Sequence, residues 1–381
     1  MSTEFPLDPE TLYLNHAAVA PWPRRTAEAV KAFAEENCTR GAADYLAWLK
    51  TEQRLRHRLK RLVNAESVDD IALVKNTSEG LSLVAYGLEW QAGDNVVSTN
   101  QEFPSNRIVW ESLQNRGIEL RCADLSGDDP EGAIIAEMDE RTRLLSVSSV
   151  QYATGLRMDL ERLGKACRDR GVLFCVDAIQ SLGALRFDAA ACHADFVTAD
   201  AHKWMLGPEG IALFYSRPEA RKKLNLHQYG WHMVEHAGDF DRIDWTEATS
   251  ARRFEPGSPN MLGAFAMDAS LSLLEETGME RIESELLNRT SWLAEAILSE
   301  SALELVTPQG SDRRAGIITF RFRERDSEFH AQIYRQLMRE GIICAHRGGG
   351  IRYSPHFYTD RQVIDTALHR ALALASHIDG R

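Results

Sequence analysis

Leu173-Phe174-Cys175-Val176-Asp177-Ala178-Ile179-Gln180, followed after a helix-sized crossover by Asp195-Phe196-Val197-Thr198-Ala199-Asp200-Ala201-His202-Lys203-Trp204-Met205-Leu206-Gly207-Pro208, is the stretch that decides the fold. Each part is an apolar run that ends in polar groups. The first ends in Asp177, with Gln180 three residues on; the second delivers His202 and Lys203. Runs that are apolar without alternation are expected of parallel strands covered by helices on both faces. Ligands in open α/β sheets bind beyond the carboxyl ends of such strands. A carboxylate and an amine are therefore expected to face one another across one crevice.

Working outward, strand-like runs at residues 71–74, 95–98, 144–148, 172–176, 195–197 and 211–215 alternate with helical patterns at 79–88, 106–116 and 160–170. Strand and helix in alternation predict an α/β domain around a largely parallel sheet. The pattern changes near residue 260. Long helices at 261–277 and 280–300 precede strands at 316–322, 342–345 and 351–354, and helices at 327–340 and 360–378. In the last helix Val363, Ile364, Ala367, Leu368, Ala371, Leu372 and Ala375 share one face. The expected division is an N-terminal segment packing near the site (1–20), a large domain (21–260) and a smaller α+β domain (261–381). Neither an internal repeat nor a Pro/Gly-rich linker separates them, so the lobes are expected to pack tightly.

With 381 residues, 44% hydrophobic and 26% charged, the chain is neither collagen-like nor low-complexity nor disordered. Its net charge is −12 and its densest basic run is Arg54-Leu55-Arg56-His57-Arg58-Leu59-Lys60-Arg61. With Leu55, Leu59 and Leu62 at near-helical spacing, that run reads as the solvated face of an amphipathic helix, and nucleic acid is not an expected partner. Cysteines 38, 122, 167, 175, 192 and 344 form no CxxC pair and no zinc spacing. Free thiols in a reducing, cytoplasmic setting are the expectation, with no metal site. Met1-Ser2-Thr3-Glu4-Phe5 does not read as a signal peptide. No apolar stretch reaches the ~20 residues of a membrane helix, so no membrane partner is expected. Only lysines 31, 50, 60, 75, 165, 203, 222 and 223 are available as amines; the remaining basic residues are arginines.

Pyridoxal 5′-phosphate (PLP) needs such a pair: a lysine to hold its aldehyde as a Schiff base and a carboxylate to keep its ring nitrogen protonated. On these residues the chain resembles, from Tyr13 to about Asp365, a fold-type I PLP enzyme of the class-V aminotransferase family. That group includes cysteine desulfurases, isopenicillin N epimerase-like proteins and kynureninase. The resemblance implies a mostly parallel seven-stranded sheet flanked by helices in the large domain. It makes Lys203 the catalytic Schiff-base residue, with Asp177 on the ring nitrogen, Gln180 on the ring hydroxyl oxygen and His202 beside the phosphate.

Asn76-Thr77-Ser78-Glu79-Gly80 follows a strand and opens a helix, a place for a phosphate or for a plain capping box. By resemblance, Thr77 and Ser78 are phosphate contacts. Phe103, in Gln101-Glu102-Phe103-Pro104-Ser105-Asn106, would stack on the ring. In Ser149-Val150-Gln151-Tyr152-Ala153-Thr154-Gly155, Gln151 and, more weakly, Tyr152 would touch the ring oxygen. Phe254-Glu255-Pro256-Gly257-Ser258-Pro259-Asn260 is similar to a loop that crosses a homodimer, so Gly257 and Ser258 would reach the partner's cofactor phosphate. Gly350-Ile351-Arg352-Tyr353-Ser354-Pro355-His356-Phe357-Tyr358 resembles the family's C-terminal signature, with Arg352 on the substrate α-carboxylate. Asn15 and His16, in Asn15-His16-Ala17-Ala18, would close the substrate side; His232 is a weaker candidate.

Two departures bear on the reaction. Desulfurases carry sulfur on a mobile-loop cysteine after the arginine matching Arg347. Here Arg347-Gly348-Gly349-Gly350-Ile351 has none, and Cys344 reads as a buried small hydrophobe. Asp200 stands where the desulfurase pattern has a phosphate-binding serine, and is expected to turn elsewhere or to bond His202. The expected activity is aminotransferase or Cβ-eliminating lyase of C–S lyase type on an α-amino acid. Desulfurase, epimerase and a silent PLP-binding protein are the alternatives; a nicotinamide enzyme is disfavoured by the lack of a glycine fingerprint.

Overall fold

Apolar runs with no polar face have to be buried on both sides, and helices on each side of one sheet do this. The computed structural model describes residues 3–379; Met1, Ser2, Gly380 and Arg381, at the ends of the expected outer segments, lie outside it. In chain order the first elements are β1 (Leu12–Tyr13), α1 (Arg24–Arg40), α2 (Tyr45–Leu62), β2 (Ile71–Val74), α3 (Thr77–Gly87), β3 (Asn95–Thr99), α4 (Ser105–Glu111), β4 (Glu119–Ala123), α5 (Pro130–Ala136), β5 (Thr142–Ser148), α6 (Leu160–Arg170), β6 (Leu173–Asp177), β7 (Phe196–Asp200), β8 (Ala212–Ser216) and α7 (Pro218–Arg221). After them come α8 (Met261–Thr277), α9 (Met279–Ser299), β9 (Leu303–Leu305), β10 (Ile318–Phe322), α10 (Ser327–Arg339), β11 (Ile342–Ile343), β12 (Ala345–Arg347), β13 (Gly350–Tyr353) and α11 (Arg361–Asp379).

The large sheet has seven strands in the order β2-β8-β7-β6-β5-β3-β4. Only β8 runs against its neighbours, pairing antiparallel with β2 and β7. Alternate residues feed two cores: Leu145, Val147, Phe174 and Val176 on one face, Leu144, Leu173 and Cys175 on the other. This is the expected mixed α/β fold. The edge strand β4 carries Glu119 and Arg121 and little buried surface, so no apolar run marks it; charge on an edge discourages pairing with other chains. Residues 342–345 do not form one strand. They divide into β11, which pairs with β1, and β12, which pairs with β13. The helix expected over 106–116 stops at Glu111, and a 3₁₀ turn at Gln114–Arg116 ends on Gly117 at φ 77°.

The crossover from β6 to β7 is built from turns rather than from a helix. Gly183, at φ +94°, lies there against the Trp204 backbone, and a Cβ would come 2.3 Å from the Trp204 carbonyl oxygen. In α2 the basic run is only partly solvated. Arg56 is buried, bonded to Glu52 and, through Nη1 at 2.7 Å, to Glu255. A smaller antiparallel sheet, β12-β13-β10-β9, packs Ile318, Phe320, Ile351 and Tyr353 against apolar faces of α9, α10 and α11. Parallel pairing of β1 with β11 ties the N-terminal segment to this sheet. The Ala20 N–H then donates to the His202 carbonyl (2.8 Å), which lays residues 15–20 along the strand ends of the large sheet.

Candidate active site

Strands β6 and β7 are parallel neighbours, and Asp177 is paired in register with Thr198. Asp177 therefore ends its strand beside the loop that leaves β7 at Asp200 and carries His202 and Lys203. That loop turns sharply. The Leu206 N–H donates to the Lys203 carbonyl (3.0 Å), the Gly207 N–H to that of Ala201 (2.8 Å), and Leu206 itself takes φ 60°. Trp204 locks the turn from behind, its Nε1 donating to Gln180 Oε1 at 2.8 Å. Gln180 Nε2 in turn donates to the Ala17 carbonyl (3.0 Å), which leaves one amide hydrogen for the cavity.

The cavity at these strand ends holds about 220 Å³. Thr77, Phe103, Asp177, Gln180, His202, Lys203 and Arg352 all line it, gathered from elements far apart in the chain. A larger hollow of about 450 Å³, walled by Tyr229, Trp231, Phe240 and Trp245, has no lysine in its walls, so the amine chemistry belongs to the smaller one. Burial raises the Asp177 carboxyl above the usual carboxylate range, although the Ile179 N–H bonds it at 3.1 Å. Burial also lowers the Lys203 amine, opposed by Asp177 and reinforced by Arg352. Phe103 lies under this amine, its ring centre 5.6 Å from Nζ, and meets Tyr152 edge-on at 5.2 Å.

Asp200 does contact the site. Its Oδ1 accepts the Thr77 N–H at 2.7 Å, and its own N–H donates to Thr77 Oγ1 at 3.1 Å. Its other oxygen stands 3.7 Å from His202 Nδ1, beyond hydrogen-bond reach. Burial pushes the Asp200 carboxyl up to about 6 and, with Lys203, the His202 ring down to about 4. Arg352 is buried in the wall of the same cavity. Nη1 donates to the Tyr152 carbonyl (2.8 Å) and Nη2 to Asn15 Oδ1 (3.3 Å), and no carboxylate pairs with it among the described residues. Burial and the neighbouring Arg347 pull its guanidinium down to about 10.

The buried Arg352 Nε and His202 Nδ1 have no hydrogen-bond partner. Unpaired buried donors and an uncompensated guanidinium are costly, and an anionic ligand that bridges the cavity removes the cost. An amine, a carboxylate and these unsatisfied groups fit PLP with an amino acid beside it.

Other expected residues lie apart. Ser78 is exposed and bonds Ser105 Oγ at 2.9 Å, with Ser105 rather than Ser78 on the cavity wall. Gln151 is buried behind the wall and donates to Glu102 Oε1 at 2.9 Å. His16 is enclosed, with both ring nitrogens engaged, at 2.8 Å by the Ser354 carbonyl and at 2.7 Å by the Tyr358 hydroxyl, and it does not reach the cavity. Its neighbours Ala17 and Ala18 do. Gly257 and Ser258 line a separate hollow of about 390 Å³ with Lys75, Glu79 and Asn260. His232 stands 3.9 Å from Glu255. Sequence reasoning used Arg347 only as a landmark and assigned nothing to Ser105; both line the cavity. The signal for Arg347 was available in its position five residues before Arg352 on a glycine hairpin. No local signal marked Ser105.

Fold and site together define a PLP-dependent enzyme. The family model "Aminotransferase class-V" matches residues 12–366, and the chain belongs to that family. A probable cysteine desulfurase of Methanothermobacter thermautotrophicus is 30% identical over 382 residues, covering 95% of this chain and 94% of its own. An uncharacterized aminotransferase of Bacillus subtilis is 29% identical over 324 residues, covering 84% and 83%. Among solved structures, apo cysteine desulfurase from Thermococcus onnurineus superposes with a TM-score of 0.85 at 25% identity, covering 100% of this chain and 98% of that one. The cystine C–S lyase C-DES, in complex with its product cysteine persulfide, superposes with a TM-score of 0.88 at 23% identity, over 96% and 98%; it supports the fold. No helix among the described residues is long and apolar enough to cross a membrane.

Proposed function

We propose that this enzyme cleaves the Cβ–S bond of a sulfur-containing α-amino acid by elimination, as a C–S lyase, and does not store sulfur as a protein persulfide. The hairpin between β12 and β13 carries this reading. Its tip is Gly348-Gly349, both at positive φ (59° and 73°), a two-residue turn with no room for a mobile loop. The nearby Cys344 is buried and its thiol is pushed up to about 12, so no thiolate stands at the cavity.

When bound, PLP supplies an electrophilic carbon that captures amines and a ring that withdraws electrons from bonds at the substrate's Cα. Lys203 would hold the cofactor and would be the base for the substrate's Cα proton; its amine, lowered by burial, suits it to both tasks. Asp177 would keep the ring nitrogen charged, Gln180 would donate its free amide hydrogen to the ring hydroxyl oxygen, and Phe103 would offer its face to the ring. Thr77 and His202 would serve the phosphate end, and Arg352 would hold the α-carboxylate; Ser78 stays off the cavity wall. Gln151 holds Glu102, the neighbour of Phe103 in the chain, while Asn15 and His16 set the position of Arg352 and of Ala17. The Cβ–S bond breaks as sulfur departs with the bonding electrons, and water then releases pyruvate and ammonia. A homodimer in which Gly257 and Ser258 face the partner's phosphate end completes the site. The division into 1–20, 21–260 and 261–381 follows the change of pattern near residue 260. All six cysteines are free, which supports a reducing, cytoplasmic setting.

The purified enzyme should be yellow, and borohydride should fix the cofactor to the chain; Lys203→Ala should abolish that covalent attachment. L-Cystine and L-cysteine should yield pyruvate and ammonia in equal amounts. Alanine appearing together with sulfide would replace this reading by desulfuration, and a keto acid formed only with an amino acceptor would replace it by transamination.

A further inference from the structure

We propose that the substrate carries a second anionic group on its side chain and that Arg347 is the residue that binds it. This rests on the amino-acid chemistry proposed above and narrows its substrate class. Ala345 pairs with Arg352 and Arg347 with Gly350 across the β12–β13 hairpin. Alternation along each strand therefore puts Arg347 and Arg352 on one face as diagonal neighbours, about 7–8 Å apart between Cα atoms. Both side chains line the Lys203 cavity. The only hydrogen bond of the Arg347 guanidinium among the described residues goes to the His346 carbonyl, at 2.8 Å.

Two guanidiniums thus share the wall of one cavity, and among the described residues neither is hydrogen-bonded to a carboxylate. Arg352 feels the repulsion of Arg347 beside it. One α-carboxylate compensates the buried Arg352, and Arg347, exposed at the rim with its fork unpaired to any carboxylate among the described residues, is left to meet a second anion. The cofactor phosphate does not supply it in the placing proposed above, where its contacts are Thr77 and His202, both beside Asp200. The arm that carries Arg347 is also held in place. Arg321 Nε donates to the Gly348 carbonyl at 3.1 Å, and a Cβ on Gly348 would come 3.1 Å from the Ala153 carbonyl oxygen. A preorganised guanidinium at the mouth binds a carboxylate or sulfinate with little ordering cost.

The test uses the PLP-loaded enzyme. Calorimetric titration should show maleate and succinate binding about 10- to 100-fold more tightly than propionate, the range expected of one added charge-assisted pair. Arg347→Ala should remove that preference and Arg347→Lys should keep part of it. In turnover, kcat/KM for S-carboxymethyl-L-cysteine, which loses thioglycolate in the elimination, relative to S-methyl-L-cysteine should fall in Arg347→Ala, chiefly through KM. Equal binding of monoanions and dianions by the unaltered enzyme would overturn the proposal. So would a loss in Arg347→Ala that is the same for propionate and maleate. Because the calorimetric arm needs no turnover, an error in the reaction assigned above would leave this result readable.

Discussion

His16 shows how burial redirects a side chain that the local sequence places beside the substrate. Its ring is stacked with Trp204 at 6.2 Å and met edge-on by His356 at 5.3 Å. Burial pushes its imidazole down to about 4, and pushes His356 well below the usual range. In the unfolded chain a histidine titrates near 6.5, so between the two values the unfolded state binds more protons. The stabilisation is complete above about pH 6.5 and is lost as the pH falls toward 4, a change of about 3 kcal/mol from His16. Urea melts at pH 7 and pH 4.5 should show this loss, and His16→Gln should flatten it. An unchanged slope would place the titrating groups elsewhere. Asp177 and Lys203 were legible without the fold because each ends an apolar run; the enclosure of His16 depends on Tyr358, 342 residues away.

In α2, Leu55, Leu59 and Leu62 mark one apolar face, which is why the basic residues between them were expected on a solvated one; Glu52 and Arg56 have only the spacing of an ordinary helix pair. Glu255, 199 residues from Arg56, turns the pair into a buried triad and also accepts the Leu73 N–H at 2.9 Å. The triad fastens the loop that holds Gly257 and Ser258 to the sheet edge. Removing one member of a buried ionic group leaves uncompensated charge, so Arg56→Met should cost about 3–5 kcal/mol in chemical denaturation. Adding Glu52→Gln should recover part of that loss. A cost below about 1 kcal/mol, typical of exposed pairs, would show the triad to be solvated in solution.

Across the whole molecule, exposed large hydrophobic side chains concentrate between Tyr229 and Trp245. Trp231 is 42%, Phe240 77%, Ile243 94% and Trp245 57% exposed. Their stretch is joined to the Gly257 loop, the His232 N–H donating to the Pro256 carbonyl at 3.2 Å. A contiguous apolar patch of this kind marks an interaction surface, which agrees with the proposed homodimer. Sedimentation should give twice the chain mass of 42.8 kDa. Replacing Phe240 and Ile243 together by serine should shift the protein toward monomer and loosen retention of the cofactor. A single-chain mass for the unaltered protein at micromolar concentration would remove the dimer.

Local pattern was enough for the alternation of strands and helices and for the placing of Asp177 and Lys203 at strand ends, but not for α8, which follows residue 260 and yet packs Ala264, Met267 and Leu271 into the core of the large sheet. The first two follow from periodicity and from where an apolar run stops, and both are properties of neighbouring residues. Other features came only with the folded chain: the bond of Asp200 to Thr77, the burial of Arg56, the closure of His16, and the pairing that sets Arg347 beside Arg352. Each depends on groups from separate elements meeting at hydrogen-bond distance. Such meetings are set by strand register and helix packing, to which periodicity along the chain is blind.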